Sequence, residues 1–494
     1  MKNLCNFIKS LPSVDCAAEY GVYSKSVNSV GDSFAFMVKE PEADFLVVTG
    51  TASNGFEGEE KNENGISYKV CPLSNNNGVS LRKLFPFTAP VPVLQNRRTA
   101  GVGDRLGIAC PGHIRVFNDY DAFPILAQQS IRELNLTNRT YADVLDAASF
   151  TVFRDGFKRG FGADGDHLKH EDEIEYALSL GYTMITLDCS EHIKNGIDRL
   201  SAEEVSAKCS LPAEIESLYL NKTFEVEGEK LTFDKEALER IMLIYGEAVE
   251  FAIGIYDKYF VKGKARANFE ISIDETETPT TPLQHYFVAN ELTRHGVKVD
   301  TMAPRFCGEF QKGVDYIGDL KQFEAEMKIH AAIARCFGYK LSIHSGSDKF
   351  STFEIIGKYT QGNFHLKTAG TNWLEAMRAV ATTDPSLYRE IHKFALGAFA
   401  DAKRFYHVTT DLTKIPDVDS LKDSELPGLF AQNDARQLIH ITYGHILTAK
   451  DDNGNFLFKD RLYSLWRKEA DVYSDMIYKH IGHHLELLYK GFCD

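Results

Sequence analysis

"ANFEISIDETETPTTPLQHYFVANELTRHGVKVDTMAP", residues Ala267–Pro304, decides the fold. Its opening, ANFEISID, reads as a strand that ends on an acid. Thr281 then offers a side-chain N-cap with Pro282 at the first helical position, and Gly296 supplies a stop. VDTMAP is the next strand. A strand, a capped helix and a second strand form one unit of a parallel sheet with a right-handed crossover.

The same unit recurs on both sides. Downstream, DLKQFEAEMKIHAAIARCFG reads as a helix between Asp319 and Gly338, YKLSIHS as a strand, and NFHLKT as a further strand after another helix. Upstream, YTMITLD is a strand, preceded by a helix with Ile174, Ala177 and Leu178 on one face and Gly181 as its stop. Earlier still, RLGIACPG is a candidate first strand, and SFTVFR reads as a strand ending at Arg154. Helices dominate after Thr371. So many alternations in one direction predict an α/β chain built on a closed (β/α)8 TIM-type barrel over residues 96–494.

Two regions break the beat. Residues 1–95 carry short extended runs, FAFMVK and DFLVVTGTA, separated by clusters such as NNNG, and predict an N-terminal β-rich module joined by the extended passage FPFTAPVPV. Residues from about 190 to 262, with SAEEVSAK and EVEGEKLTFDKEALERIMLIYGEAVEFAI, read as a helical insertion that could cover a site.

The 494 residues carry a formal charge of −15, which repels polyanions and argues against nucleic-acid or anionic-membrane partners. Nine scattered cysteines without a C-x-x-C pair support neither a disulfide framework nor a zinc ribbon. No window reaches the roughly 20 apolar residues of a membrane span, and MKNLCNFIKSLPS lacks a signal-peptide core. A cytoplasmic protein acting on a small molecule is expected.

Barrels place their chemistry on the loops at the carboxyl ends of the strands. That filter selects Asp166 and His167 in FGADGDHLKHEDE, Asp188 with Glu191 and His192, Glu270 and Asp274, Arg305 and Glu309, His344, and His365. Histidines and carboxylates drawn from several strands suit a divalent metal such as Zn, Mn, Co, Ni or Fe. Any single histidine is more often a satisfied imidazole, and Glu171, Asp172 and Glu173 are explained as an acidic first helical turn. Glu270, in an apolar run, needs a cation or a raised pKa, and Arg266 or Lys367 could pair with it structurally. GVGDRLG lacks the dinucleotide-binding spacing, DDNGN at Asp451 reads as a hairpin turn, and His483 and His484 read as a helix face.

The blocks FGADGDHLK, LDCSEHI, FEISIDETETPTTPLQHYFVANEL, APRFCGEFQKGVDYIGD and SIHSGSDKFS resemble the tagaturonate epimerase family, enzymes of hexuronate breakdown that interconvert D-tagaturonate and D-fructuronate. The resemblance implies a divalent metal in a barrel, with Asp166 as proton acceptor, Glu270 as proton donor, and His167, Glu309 and His344 as metal ligands. These keto-acids differ at a carbon two bonds from the ketone, whose C–H is not acidified. Retro-aldol cleavage and re-addition is therefore the expected route, with transient oxidation weakened by the missing nicotinamide fingerprint. Arg154, Lys169, Arg305 and Lys367 are candidate partners for the substrate carboxylate, and His365 is a further substrate-side candidate. The rival expectations are a metal-dependent ketose isomerase or class II aldolase, and a non-catalytic sugar-acid binding protein.

Overall fold

The computed structural model describes residues 3–368 and 370–493. Eight parallel strands close into a barrel: β1 (Arg98–Val102), β2 (Phe123–Ser130), β3 (Gly162–Leu168), β4 (Met184–Asp188), β5 (Asn268–Ile273), β6 (Thr301–Pro304), β7 (Lys340–Ile343) and β8 (Phe364–Thr368). Each pairs with its sequence neighbour, and β8 closes on β1. The deciding stretch folds as its residues dictate. Thr281 accepts from the Gln284 amide in a capping box, the helix runs Pro282–Arg294, and Phe269, Ile271 and Ile273 pack outward into the main core. Inward, Glu270 lies level with Thr186 of β4 and Thr301 of β6, so the barrel interior at this height is polar.

Two expected strands are not strands. SFTVFR belongs to the helix Tyr141–Asp155, which opens on a Thr140–Asp143 capping box and stops at Gly156 with a φ of 64°. SFTVFR read as extended because its β-branched and aromatic residues suit a strand; in the helix Val144, Leu145 and Val152 join the barrel core, whereas Phe150 and Phe153 meet the N-terminal sheet. RLGIACPG is a turn in which Asp104 accepts from the amides of Leu106, Gly107 and Ala109, followed by the helix Cys110–Asp119. The first barrel strand is the inconspicuous RTAGV just before it. FGADGDHLK, expected as a loop, is β3 itself.

Before the barrel lies an antiparallel five-stranded sheet in the order 28–30, 33–39, 44–49, 66–72, 59–63. One face packs Phe36, Val38 and Val47 on Phe7, and the other packs Met37, Leu46 and Val48 on Leu81 and Phe153. Residues 190–262 are not wholly helical. Lys222–Val226 and Glu229–Phe233 form a hairpin turned by Glu227 and Gly228, both at positive φ, before the helix Lys235–Tyr256. Among the described residues, no helix is long and apolar enough to cross a membrane.

Candidate active site

Asp164 and Asp166 alternate around Gly165 on β3, so both carboxylates enter the barrel. Lys367 of β8 meets them there, with Nζ 2.8 Å from Asp164, 2.5 Å from Asp166 and 3.0 Å from Glu270. Thr186 donates to Asp164 and Thr301 donates to Glu270 at 2.6 Å, completing a buried polar network. One ammonium among three carboxylates separates their behaviour. Burial pushes Asp164 up to about 6, helped by Asp166 and Glu270 and opposed by Lys367. Burial also acts on Asp166, but Lys367 and His167 overcome it and hold that carboxyl below its usual value. Glu270 is held well below the carboxylate range because Lys367 and His344 outweigh its burial.

The pairing of β3 with β4 slips between Gly165 and Leu168, and His167 takes a left-handed φ of 54°. This bulge breaks the alternation, so that Asp166 and its neighbour His167 both line the same cavity. His344, just past β7, brings its ring to 4.9 Å from that of His167, and Asp274, just past β5, stands 3.2 Å from His344 Nδ1. His167, Asp274 and His344 each offer a ligand atom within 4.8 Å of the others.

The donor set fits a divalent cation. His167 uses Nδ1 to meet Asp188 at 3.2 Å, which leaves Nε2 for a metal. His344 uses Nε2 to meet Glu270 at 2.8 Å, which directs Nδ1 to the Asp274 side. Each imidazole is thereby oriented by a carboxylate behind it, as metal-ligating histidines are. The electrostatics agree. Burial would lower the pKa of His167, yet Asp166 and Asp188 raise it to about 10, and Asp274 and Glu270 raise that of His344 against burial. Such a site demands positive charge, which a divalent ion supplies while leaving both rings neutral.

The cavity is further lined by Gln128 and Ser130 from β2, Arg132, Glu275, Gln311 and Lys312, and by Tyr406 and His440 from the C-terminal helical region. None of its lining residues lies in 190–262; the loop after β6 and the C-terminal segments wall the site.

A family model described as tagaturonate epimerase matches residues 23–488. The chain belongs to the tagaturonate epimerase family. The tagaturonate/fructuronate epimerase of Thermotoga maritima is 43% identical over 476 residues, covering 95% of this chain and 97% of that one. Native and glycerol-complexed crystal structures of the fructuronate-tagaturonate epimerase from Cohnella laeviribosi match with a TM-score of 0.93 at 48% identity, covering 98% of this chain and 99% of theirs. This member of the family is an enzyme of the isomerase class.

Against that identity, the expected site residues divide. Asp166, His167, His344 and Lys367 line the cavity together. Glu270 lies beneath it, fully buried, and does not line it. Glu309, expected as a ligand, forms a bridge with Ile317 and sets its half-exposed carboxylate 3.4 Å from His407, and Asp274 occupies the position beside the imidazoles instead. Lys169 reaches Ser190 at 2.9 Å and Asp188 at 3.7 Å, next to Glu275 at the rim. Arg305 donates to the Thr276 carbonyl and ties down the loop after β5. Arg154 pairs with Asp155 and lies over the Tyr23 ring beneath the N-terminal sheet, away from the cavity. His365 meets Thr99 at 2.9 Å in the barrel interior, where burial holds it neutral at a pKa of about 3. His192 stacks on Phe251. Sequence reasoning gave no binding or catalytic role to Arg132 or Lys312, and to Asp164 only that of turning the chain. The alternation of Asp164 with Asp166 was the available signal for Asp164, and for Arg132 the strand FPILAQQS just before it.

Proposed function

We propose that this protein interconverts D-tagaturonate and D-fructuronate by metal-assisted retro-aldol cleavage and re-addition. The observation that carries the reading is the juxtaposition of an ionised, Lys367-held Asp166 with a carboxylate-backed His167–Asp274–His344 donor set in one cavity. A divalent metal bound by those three residues would supply Lewis-acid polarisation of the ketone and stabilise the enediolate.

Asp166, exposed to the cavity and held ionised, takes the proton from the hydroxyl on the epimerising carbon. The electron pair of the adjoining carbon–carbon bond moves toward the ketone, giving an aldehyde and an enediolate. The aldehyde turns, the enediolate adds to its other face, and the new alkoxide takes the proton back, so atoms and electrons balance without a redox step. Lys367 keeps Asp166 ionised and offers a donor beside it. Glu270 acts by position rather than as the proton donor: it is ionised, and it orients His344 and Lys367.

The experiment is turnover of D-tagaturonate in deuterium oxide. The account expects D-fructuronate with no deuterium at the epimerised carbon, and a three-carbon aldehyde trapped by borohydride during turnover. Deuterium at that carbon would show direct deprotonation and overturn the route; stable aldose or fragments as main products would favour an isomerase or aldolase.

A further inference from the structure

The cavity has a second wall of opposite character. Arg105, Arg132 and Lys312 all line it, together with His440 and Tyr406. Of these three cations only Arg105 has a carboxylate partner: its Nε and Nη2 both donate to one oxygen of Glu133, at 2.8 and 2.7 Å, and its guanidinium lies 3.8 Å from the Tyr443 ring. The remaining nitrogen, Nη1, is buried without a hydrogen-bond partner among the described residues, on a side chain only 3% exposed. Arg132 lies over the Tyr406 ring at 5.4 Å, Lys312 donates to Ser345 Oγ at 2.9 Å, and neither makes an ion pair among the described residues. Both ring nitrogens of His440 also lack partners among the described residues. Lys349, which lines the cavity too, is excluded because its ammonium donates to the carbonyls of Gln311, Val314 and Ser347.

The orphaned, buried Arg105 Nη1 is costly unless an acceptor completes it, and the exposed Arg132 and half-buried Lys312, on a wall that Glu133 and Glu275 share, are free to meet an incoming anion. A planar guanidinium beside an ammonium suits a carboxylate. We propose that Arg132 and Lys312, backed by Arg105 Nη1, seat the carboxylate of the sugar acid and keep it anchored while the cleaved aldehyde turns. This rests on the retro-aldol reading. Cleavage leaves the carboxylate on the aldehyde fragment, which then has no covalent tie to the enediolate. Gripping that fragment by its far end retains it while rotation about the neighbouring bond presents the opposite aldehyde face. The acidic wall with its metal donors takes the other fragment.

The test compares D-glycerate, which mimics the carboxylate-bearing fragment, with glycerol, its neutral counterpart, as competitors of D-tagaturonate. It uses the wild-type holoenzyme, Arg132→Gln, Lys312→Gln and the charge-retaining Lys312→Arg. In the wild type, glycerate is expected to compete at least tenfold better than glycerol. Both Gln variants should lose most of that preference, raise KM for D-tagaturonate at least tenfold with a smaller change in kcat, and release trappable aldehyde. Lys312→Arg should restore the preference, which a merely structural role would not explain. Epimerising variants that keep the preference, with KM unchanged, would overturn the anchor. A wild type that prefers glycerate but does not epimerise D-tagaturonate would overturn the functional reading and leave the anion seat standing.

Discussion

Lys367→Met removes the one cation shared by Asp164, Asp166 and Glu270, all within 3.0 Å of its Nζ. The side chain is 5% exposed and the carboxylates 9% or less, so solvent screens little of the loss. Stripping one partner from a buried ion pair costs about 3–5 kcal/mol, and here three carboxylates are left to repel one another, which places the expectation at the upper end of that range. Catalysis should fall further than folding does. Asp166 would no longer be held ionised beside a donor, and loss of a general base lowers turnover roughly 10²- to 10⁴-fold. Urea unfolding followed by circular dichroism gives the first quantity, and initial rates on D-tagaturonate give the second. A denaturation midpoint matching the wild type, or activity within about threefold of it, would refute the placement of Lys367 at the centre of the network.

Asp188→Asn keeps the shape behind His167 but removes the charge that orients its ring; metal affinity should drop about 10- to 100-fold in a competition with a chromophoric chelator, and unchanged affinity would remove His167 from the donor set. Gly357→Ala would bring a Cβ within 2.0 Å of the Leu488 carbonyl oxygen, between the helices Phe350–Thr360 and Ala470–Lys490; overpacking of that kind costs about 1–3 kcal/mol, and a neutral melting temperature would contradict the close approach. Away from the site, burial lowers the pKa of His113 and His392 to about 4 and that of His330 to about 3 from the ordinary 6.5. The unfolded chain binds protons below 6.5 that the folded chain refuses, so their stabilisation is complete above that value and is lost as pH falls, on the order of 2 kcal/mol each at pH 5. Denaturation midpoints that hold level between pH 7 and 5 would contradict this.

The barrel was legible wherever strands were apolar and helices wore caps. Thr281 with Pro282, and Asp319 with Gly338, mark helix ends through local hydrogen bonds that need no tertiary context. It was illegible where tertiary packing overrode composition. Helix 141–155 packs on two cores at once, so the apolar residues of its C-terminal half are too dense to show a helical period, and β3 carries acids because its inner face meets Lys367 of β8. The site followed the same division. Asp166, His167 and His344 stand at strand ends and were found from that rule, and Lys367 was found as a cation although its place among the acids was not. Asp274 was selected by position but not as a ligand, since only the pairing of His344 with Glu270 behind it shows which ring nitrogen is free for it. Arg132 stands in the first turn of the helix Ile131–Thr137 directly after β2, where the strand before it was the available signal, whereas Lys312 lies in the loop after β6, whose course no local pattern announces.

In the proposed mechanism one metal-bearing cavity, centred on His167, Asp274 and His344, performs the epimerisation. The protein is stripped with chelator and assayed on D-tagaturonate while Mn, Co, Ni or Zn is titrated back, for the wild type and for His344→Ala. The account predicts no D-fructuronate from the stripped protein, recovery that saturates at one metal per chain, and no recovery in the variant. Full turnover by stripped protein, with metal content far below one per chain, would contradict it.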